Sequence, residues 1–438
     1  MPTKLGAHVL RAVPELSDYI TAGAAVVKLM GDWGMAPDIP KRTLVIGRKF
    51  EGHYDAQLQR TSGKTPLEAA QQFVGDQLKE YKYNPAIVYW EGHNEPVWNS
   101  HEEMAWYAQL EVERMKLMDA EGLKCVIGNF ATGSPDLALW PSFFPAFKAA
   151  QKYGALLGLH EYSCPWMWWM TGKHQLDPTA DEGDEGWTTL RYRKVYRQHM
   201  IPNGFGDVPL VITECGIDPL VSPKPPKVGV GGTWQQLGGF WKRNDGEPDK
   251  ADYYYRQLVW YDKELQKDDY VIGATIFTWG NFGRQWKVFE VAGSQVTQKL
   301  IAYTKTDPAK PFVPGQATAP SAPTTTTVPT TTESSGPRGL PRVQYKRTCI
   351  LLPPDADDVW ARAAVKGTWD KERYTIGSSA DDAGIGDLDA RRVIAVNPQK
   401  WPGPQSLADF YKQYYPGVQF ESLIAATPTE LTQKLGDQ

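Results

Sequence analysis

Residues 87–96 read Ile-Val-Tyr-Trp-Glu-Gly-His-Asn-Glu-Pro, and residues 209–216 read Pro-Leu-Val-Ile-Thr-Glu-Cys-Gly. In both, a short apolar run gives way to a carboxylate, Glu95 and Glu214, and 119 residues separate the two. Six further runs of the same strand-like composition surround Ile87–Glu91 and Pro209–Thr213: Leu5–Leu10, Ala24–Met30, Thr43–Gly47, Lys124–Gly128, Ala155–His160 and Val271–Phe277. From Leu5 to Val271 the eight runs span 266 residues in seven steps, 38 residues to a step. Helix-period segments lie between most of them, such as Pro66–Tyr81, with Thr65 as its N-cap, and Glu102–Ala120. Near-continuous apolar strands alternating with helices mean a parallel sheet buried on both faces. Eight such units predict a closed (β/α)8 barrel, the TIM barrel. The competing doubly wound open sheet would want a Gly-rich phosphate turn after the first strand, and none is there.

The rhythm stops after residue 310. Residues 311–341 are rich in Pro and Thr, cannot bury apolar area and read as an extended linker. Residues 342–438 then predict a small α/β domain. Its strands are Arg347–Leu352, Arg392–Val396 and Phe420–Ala426; its helices are Asp355–Val365, Ser406–Tyr415 and Thr429–Leu435. Between them Thr375-Ile-Gly-Ser-Ser-Ala-Asp-Asp-Ala-Gly-Ile-Gly-Asp reads as a loop with a helix cap. The expected organisation is a catalytic barrel (1–310), the linker (311–341) and an accessory α/β domain (342–438) for binding or targeting. Linkers of this composition favour an extracellular or cell-surface protein, although no basic segment followed by an apolar one precedes the first strand.

Composition narrows the chemistry. A net charge of -4 argues against nucleic acid as a partner, and no run of 18 apolar residues exists to span a membrane. Four cysteines (125, 164, 215 and 349) form no CxxC pair and read as free, buried thiols. Of 17 Trp, 14 precede residue 300, and flat rings with a polar edge suit sugar faces as well as cores.

A barrel builds its site from residues at the C-terminal ends of its strands. The fourth strand offers Glu91, His93, Asn94 and Glu95; the sixth His160, Glu161 and Tyr162; the seventh Glu214; the eighth Trp279. His8, Trp33 and Arg48 occupy rim positions on the first three. His160 and Tyr162, two apart, share a face, and Glu161 points away unless the register slips by one. His-Glu-Tyr is not His-Glu-x-x-His, and no His-x-His pair follows the first strand, so neither a catalytic metal nor a cofactor is expected.

Asn-Glu-Pro ending strand four and Thr-Glu ending strand seven resemble the large clan of retaining (β/α)8 glycoside hydrolases that includes cellulase-, xylanase- and mannanase-like families. The resemblance covers residues 1 to about 305 and is most specific at those two strands. It implies Glu95 as acid/base, Glu214 as nucleophile and Asn94 as a contact to the sugar 2-hydroxyl. It also implies Tyr162 as orienter of the nucleophile, His160 as a sugar or acid/base contact and Trp279 as the floor of the subsite beside the scissile bond. Trp33 and Arg48 would line the cleft. The substrate it implies is an oligo- or polysaccharide with β-linkages, cut by double displacement. Two other readings share these residues: a carbohydrate-binding barrel without turnover, and a lytic enzyme for an amino-sugar polymer of the cell wall, which the tail domain would contact.

Two insertions are expected to overhang the cleft: Pro165–Trp187, where Trp166, Trp168 and Trp169 precede an acidic run at 181–185, and Val228–Trp241. The acidic run lacks the ligand spacing of a Ca²⁺ loop and reads as solvated. Without heptads to suggest assembly, the chain is expected to be a monomer.

Overall fold

The computed structural model describes residues 2–49, 55–177, 179–225, 231–281, 286–312, 346–354, 356–368, 374–378, 390–401, 406–415 and 417–437. The chain divides into two compact units, one on each side of 313–345. Most of the expected linker therefore lies outside the described residues.

The first unit is a closed barrel of eight parallel strands in sequential order: β1 (Leu5–Val9), β2 (Val26–Leu29), β3 (Leu44–Gly47), β4 (Tyr89–Glu91), β5 (Lys124–Phe130), β6 (Leu156–Ser163), β7 (Leu210–Ile217) and β8 (Val271–Trp279), with β8 pairing back onto β1. Each coincides with one of the eight predicted runs. The helix Pro66–Tyr83 begins with a reciprocal cap, in which Thr65 Oγ1 accepts from the Glu68 amide and the Glu68 carboxylate accepts from the Thr65 amide at 2.9 Å. Ser100 caps the next long helix, His101–Ala120.

Two-residue alternation sorts the strand residues. In β2, Val27 and Leu29 face the helices while Val26 and Lys28 face the barrel interior. Val26, Ile46, Tyr89, Val126, Leu156 and Val211 fill the N-terminal half of that interior with apolar volume. The C-terminal half is polar, built from His8, Lys28, Arg48, Glu91, His160 and Glu214. Beneath the end of β4, the buried Arg114 donates to Glu111 (2.7 Å) and to the carbonyl oxygens of Val126 (2.7 Å) and Trp90 (3.3 Å), tying helix 101–120 to β4 and β5.

The second unit is a four-stranded parallel sheet of β9 (Lys346–Leu351), β10 (Tyr374–Gly377), β11 (Ala390–Val396) and β12 (Val418–Leu423) in the order β10-β9-β11-β12. Helices Asp358–Thr368 and Pro428–Gly436 cover one face through Ala364, Leu431 and Leu435. Helix Leu407–Tyr414 covers the other through Leu407 and Tyr411. One correction arises here. Thr375–Gly377, expected to begin a loop, belongs to β10, whose four residues are too few to show a period; residues 379–389 of that loop lie outside the described residues.

Candidate active site

Bulges at the C-terminal ends of three strands aim the site residues. In β5 the register with β6 shifts at Asn129, which adopts a left-handed φ of 49°. Its carbonyl accepts the Glu95 amide at 3.0 Å and fixes Glu95 in a left-handed conformation of its own, φ 47°. A side chain at Gly158 would collide with the Asn129 amide oxygen, so this close approach requires glycine there. In β7 the pairing steps from Leu159–Ile212 to His160–Glu214, leaving Thr213 as the extra residue. Without that bulge Glu214 would share the outward face of Leu210 and Ile212.

Glu214 lies at the centre of the polar half of the barrel and is 8% exposed. Tyr162 donates its hydroxyl proton to Oε2 at 2.8 Å, and Lys28 Nζ donates to Oε1 at 3.0 Å. His8 Nε2 and Arg48 Nη1 stand 3.4 Å and 3.7 Å from the same Oε1. Lys28 is completely buried and also pairs with the buried Glu91 at 2.9 Å, so one ammonium bridges two carboxylates. Burial alone would raise the Glu214 carboxyl, but the positive charge of His160 and Lys28 and the bond from His8 hold it well below the usual carboxylate range.

His160 joins the two acids. Its Nδ1 is 2.7 Å from Glu95 Oε1 and 3.6 Å from Glu214 Oε2. One oxygen of each carboxylate and a ring nitrogen of His160 all lie within 4.8 Å of one another. Three such groups have the spacing of a cation site. Yet Lys28 and Arg48 already bring two positive charges within 3.7 Å of Glu214, and their repulsion opposes a further cation. Burial and the Lys28 charge also push His8 down to about 4. The His8 ring is therefore expected to stay neutral as the pH falls from 8 to 5, followed by its NMR ring shifts; a midpoint near 6.5 would mean that burial and the Lys28 charge do not act on it.

The structure brings together Glu95, Glu214, His160, Tyr162, Asn94 and Arg48, for Arg48 Nη1 also donates to Asn94 Oδ1 at 2.7 Å. Glu161 points outward, as alternation requires. It accepts from the amides of Leu190 (2.8 Å) and Tyr192 (3.0 Å) and from the Tyr261 hydroxyl (2.6 Å), and burial pushes it up to about 7.

One expected site residue lies elsewhere. Trp279 is fully buried and stacked on Tyr19 at 5.0 Å, because the register of β8 against β1 steps from His8–Phe277 to Val9–Trp279. The extra residue, Thr278, turns Trp279 to the outer face that Val9 shares and leaves Phe277 on the inner face beside His8. Trp33 stands at the rim after β2 but lies edge-on to the buried Trp90 at 5.5 Å, with its Nε1 on the Leu29 carbonyl. In the insertion after β6, Trp166 bonds Asp245, Trp169 bonds the Pro223 carbonyl, and Trp168 packs on Tyr253 and Trp260. Its acidic run is ion-paired with Arg193, Lys194 and Arg197 rather than merely solvated. In the second insertion, 228–230 fall outside the described residues.

Sequence reading missed Lys28. Its signal was a lone charge inside Ala24–Met30, on the same side of β2 as Val26 and opposite Val27 and Leu29.

No protein-family model matches the chain, and no curated protein matches it. Among solved structures it is similar to a GH128 (subgroup I) endo-β-1,3-glucanase from Amycolatopsis mediterranei in complex with laminaritriose, at 14% identity over 68% of this chain and 99% of that one, with a TM-score of 0.36. It is also similar to a GH5 xyloglucan-specific endo-β-1,4-glucanase from a metagenomic library, in complex with cellotriose (12% identity, 67% and 88% of the chains, TM-score 0.38). The β-mannanase of Thermomonospora fusca with mannohexaose is another (14% identity, 63% and 75%, TM-score 0.33). At these identities and scores the likeness transfers no activity to this chain.

Proposed function

We propose that the barrel is a retaining glycosidase acting on β-linked oligo- or polysaccharides. The observation that carries this reading is the Glu95–His160–Glu214 cluster, with carboxylate oxygens within 4.8 Å of one another. That spacing matches the ~5–5.5 Å of a double displacement and is short of the ~6.5–9.5 Å that leaves room for an inverting water. Glu214 attacks the anomeric carbon while Glu95 gives its proton to the departing oxygen, so the C–O bond breaks as the glycosyl–carboxylate ester forms. Glu95, now a carboxylate, takes a proton from water, which attacks the anomeric carbon and frees Glu214. His160 Nδ1 stands between the two acids, 2.7 Å from Glu95 and 3.6 Å from Glu214, and positions them against each other. Because Glu214 stays ionised through the ordinary carboxylate range, it sets no acid limb there.

Replacing Glu95 tests the division of labour. Glu95→Ala is expected to lose about 10²–10⁴-fold in kcat/KM on substrates whose leaving group needs a proton. It should retain activity on dinitrophenyl glycosides, with added azide accelerating turnover and yielding the glycosyl azide of retained configuration. Equal loss on both substrate classes without azide rescue would remove Glu95 from the acid/base role.

The Pro/Thr-rich composition of 311–341 and the separate C-terminal unit support an exported enzyme. Its accessory domain at 342–438 would hold it to a polysaccharide or cell wall.

A further inference from the structure

The chemistry above leaves the aromatic group at the end of β8 unused. Phe277 is 8% exposed, its ring 4.8 Å from that of His8 and 6.1 Å from that of Tyr162, the two residues that approach Glu214 from β1 and β6. Trp286 stands on Phe277 at a centroid distance of 5.6 Å and an interplanar angle of 86°. Phe289 braces both, 5.3 Å from Phe277 and 6.0 Å from Trp286, and Val221 and Val288 pack against the same cluster. Phe277 and Phe289 are buried, whereas Trp286 keeps 40% of its surface in water. An indole packed against two buried rings and still partly open to water is a pre-set platform. It suits a ligand with one flat C–H face and hydroxyls around the rim, which is the shape of a pyranose.

We propose that Trp286 is the platform of a second sugar subsite, so that the cleft takes a β-linked oligosaccharide of at least two units rather than a simple glycoside. The proposal rests on the glycosidase reading of the same site. Among the described residues Trp286 is linked to Glu214 through Phe277 and then Tyr162 or His8, so the ring it holds is placed beside the one whose anomeric carbon is attacked. Its contact is made alike in ground and transition states and acts through binding more than through kcat.

The test measures binding apart from turnover. Calorimetric titration of the full chain carrying Glu214→Gln would compare mono- to tetrasaccharides of the cello-, laminari- and manno-series. Affinity is expected to rise with length in at least one series, and adding Trp286→Ala is expected to remove about 10- to 100-fold of that rise. Trp286→Tyr, which keeps a ring and the local packing, should retain most of it. A length dependence that survives Trp286→Ala overturns the proposal, as does loss of binding in Trp286→Tyr equal to that in Trp286→Ala. Failure of every series to bind also overturns it. Separately, Trp286-dependent binding in a chain whose unmutated form hydrolyses no aryl β-glycoside would uphold the platform and reject the hydrolase.

Discussion

Glu214→Gln is expected to lower kcat/KM on any glycoside by at least about 10⁴-fold, on the order of 5.5 kcal/mol of transition-state stabilisation. The amide oxygen is too weak a nucleophile to form the ester, so the reaction loses its first covalent step. The fold should survive, because the substituted amide keeps the volume and its oxygen still accepts from Tyr162, while Lys28 keeps Glu91 as its counter-charge. The informative pattern is therefore a chain that melts close to the unmutated one and turns over nothing, including activated aryl glycosides, which still need a nucleophile.

Lys28→Met carries the second large effect, and it acts on stability and rate together. The ammonium has no exposure and lies 2.9 Å from Glu91 and 3.0 Å from Glu214. Removing it leaves two carboxylates in the barrel without their shared cation, a change that costs about 3–5 kcal/mol for a buried pair broken on one side. Glu91→Gln added to Lys28→Met removes one of the stranded charges and should restore much of the loss, read as the urea midpoint of both variants. The rate effect is separate. With Lys28 gone, the Glu214 carboxyl loses one of the charges that depress it, its pKa rises, and its protonation, which sets no acid limb in the ordinary carboxylate range while Lys28 is present, moves up toward that range in the kcat/KM profile. A Lys28→Met chain as stable as the unmutated one, with no acid limb brought up toward the carboxylate range, would mean the bridge is not formed.

The eight strands were legible because a parallel barrel buries both faces of each, so the apolar runs stand out from the polar turns. Glu95 and Glu214 were legible for a related reason: each follows its run at the rim where the apolar demand ends. Lys28 was hidden by the same rule, which questions residues after a run and passes over a charge within one. Trp279 was misplaced because the bulge at Thr278 reverses the alternation, and a bulge of one residue leaves no mark in composition. Glu214 was placed correctly although strict alternation along β7 would have turned it outward; the bulge at Thr213 brings it in. In the aromatic insertion after β6, ring count alone does not tell a cleft wall from packing, and Trp168 packs against helix Lys250–Leu265.

The central claim is that Glu214 and Glu95 act by double displacement, and the anomer released first tests it most directly. Proton NMR of the sugar freed from an aryl β-glycoside, recorded before mutarotation, should show the β-anomer appearing first and the α-anomer growing in only later. Release of the α-anomer first, or no release from any aryl β-glycoside, would contradict the account.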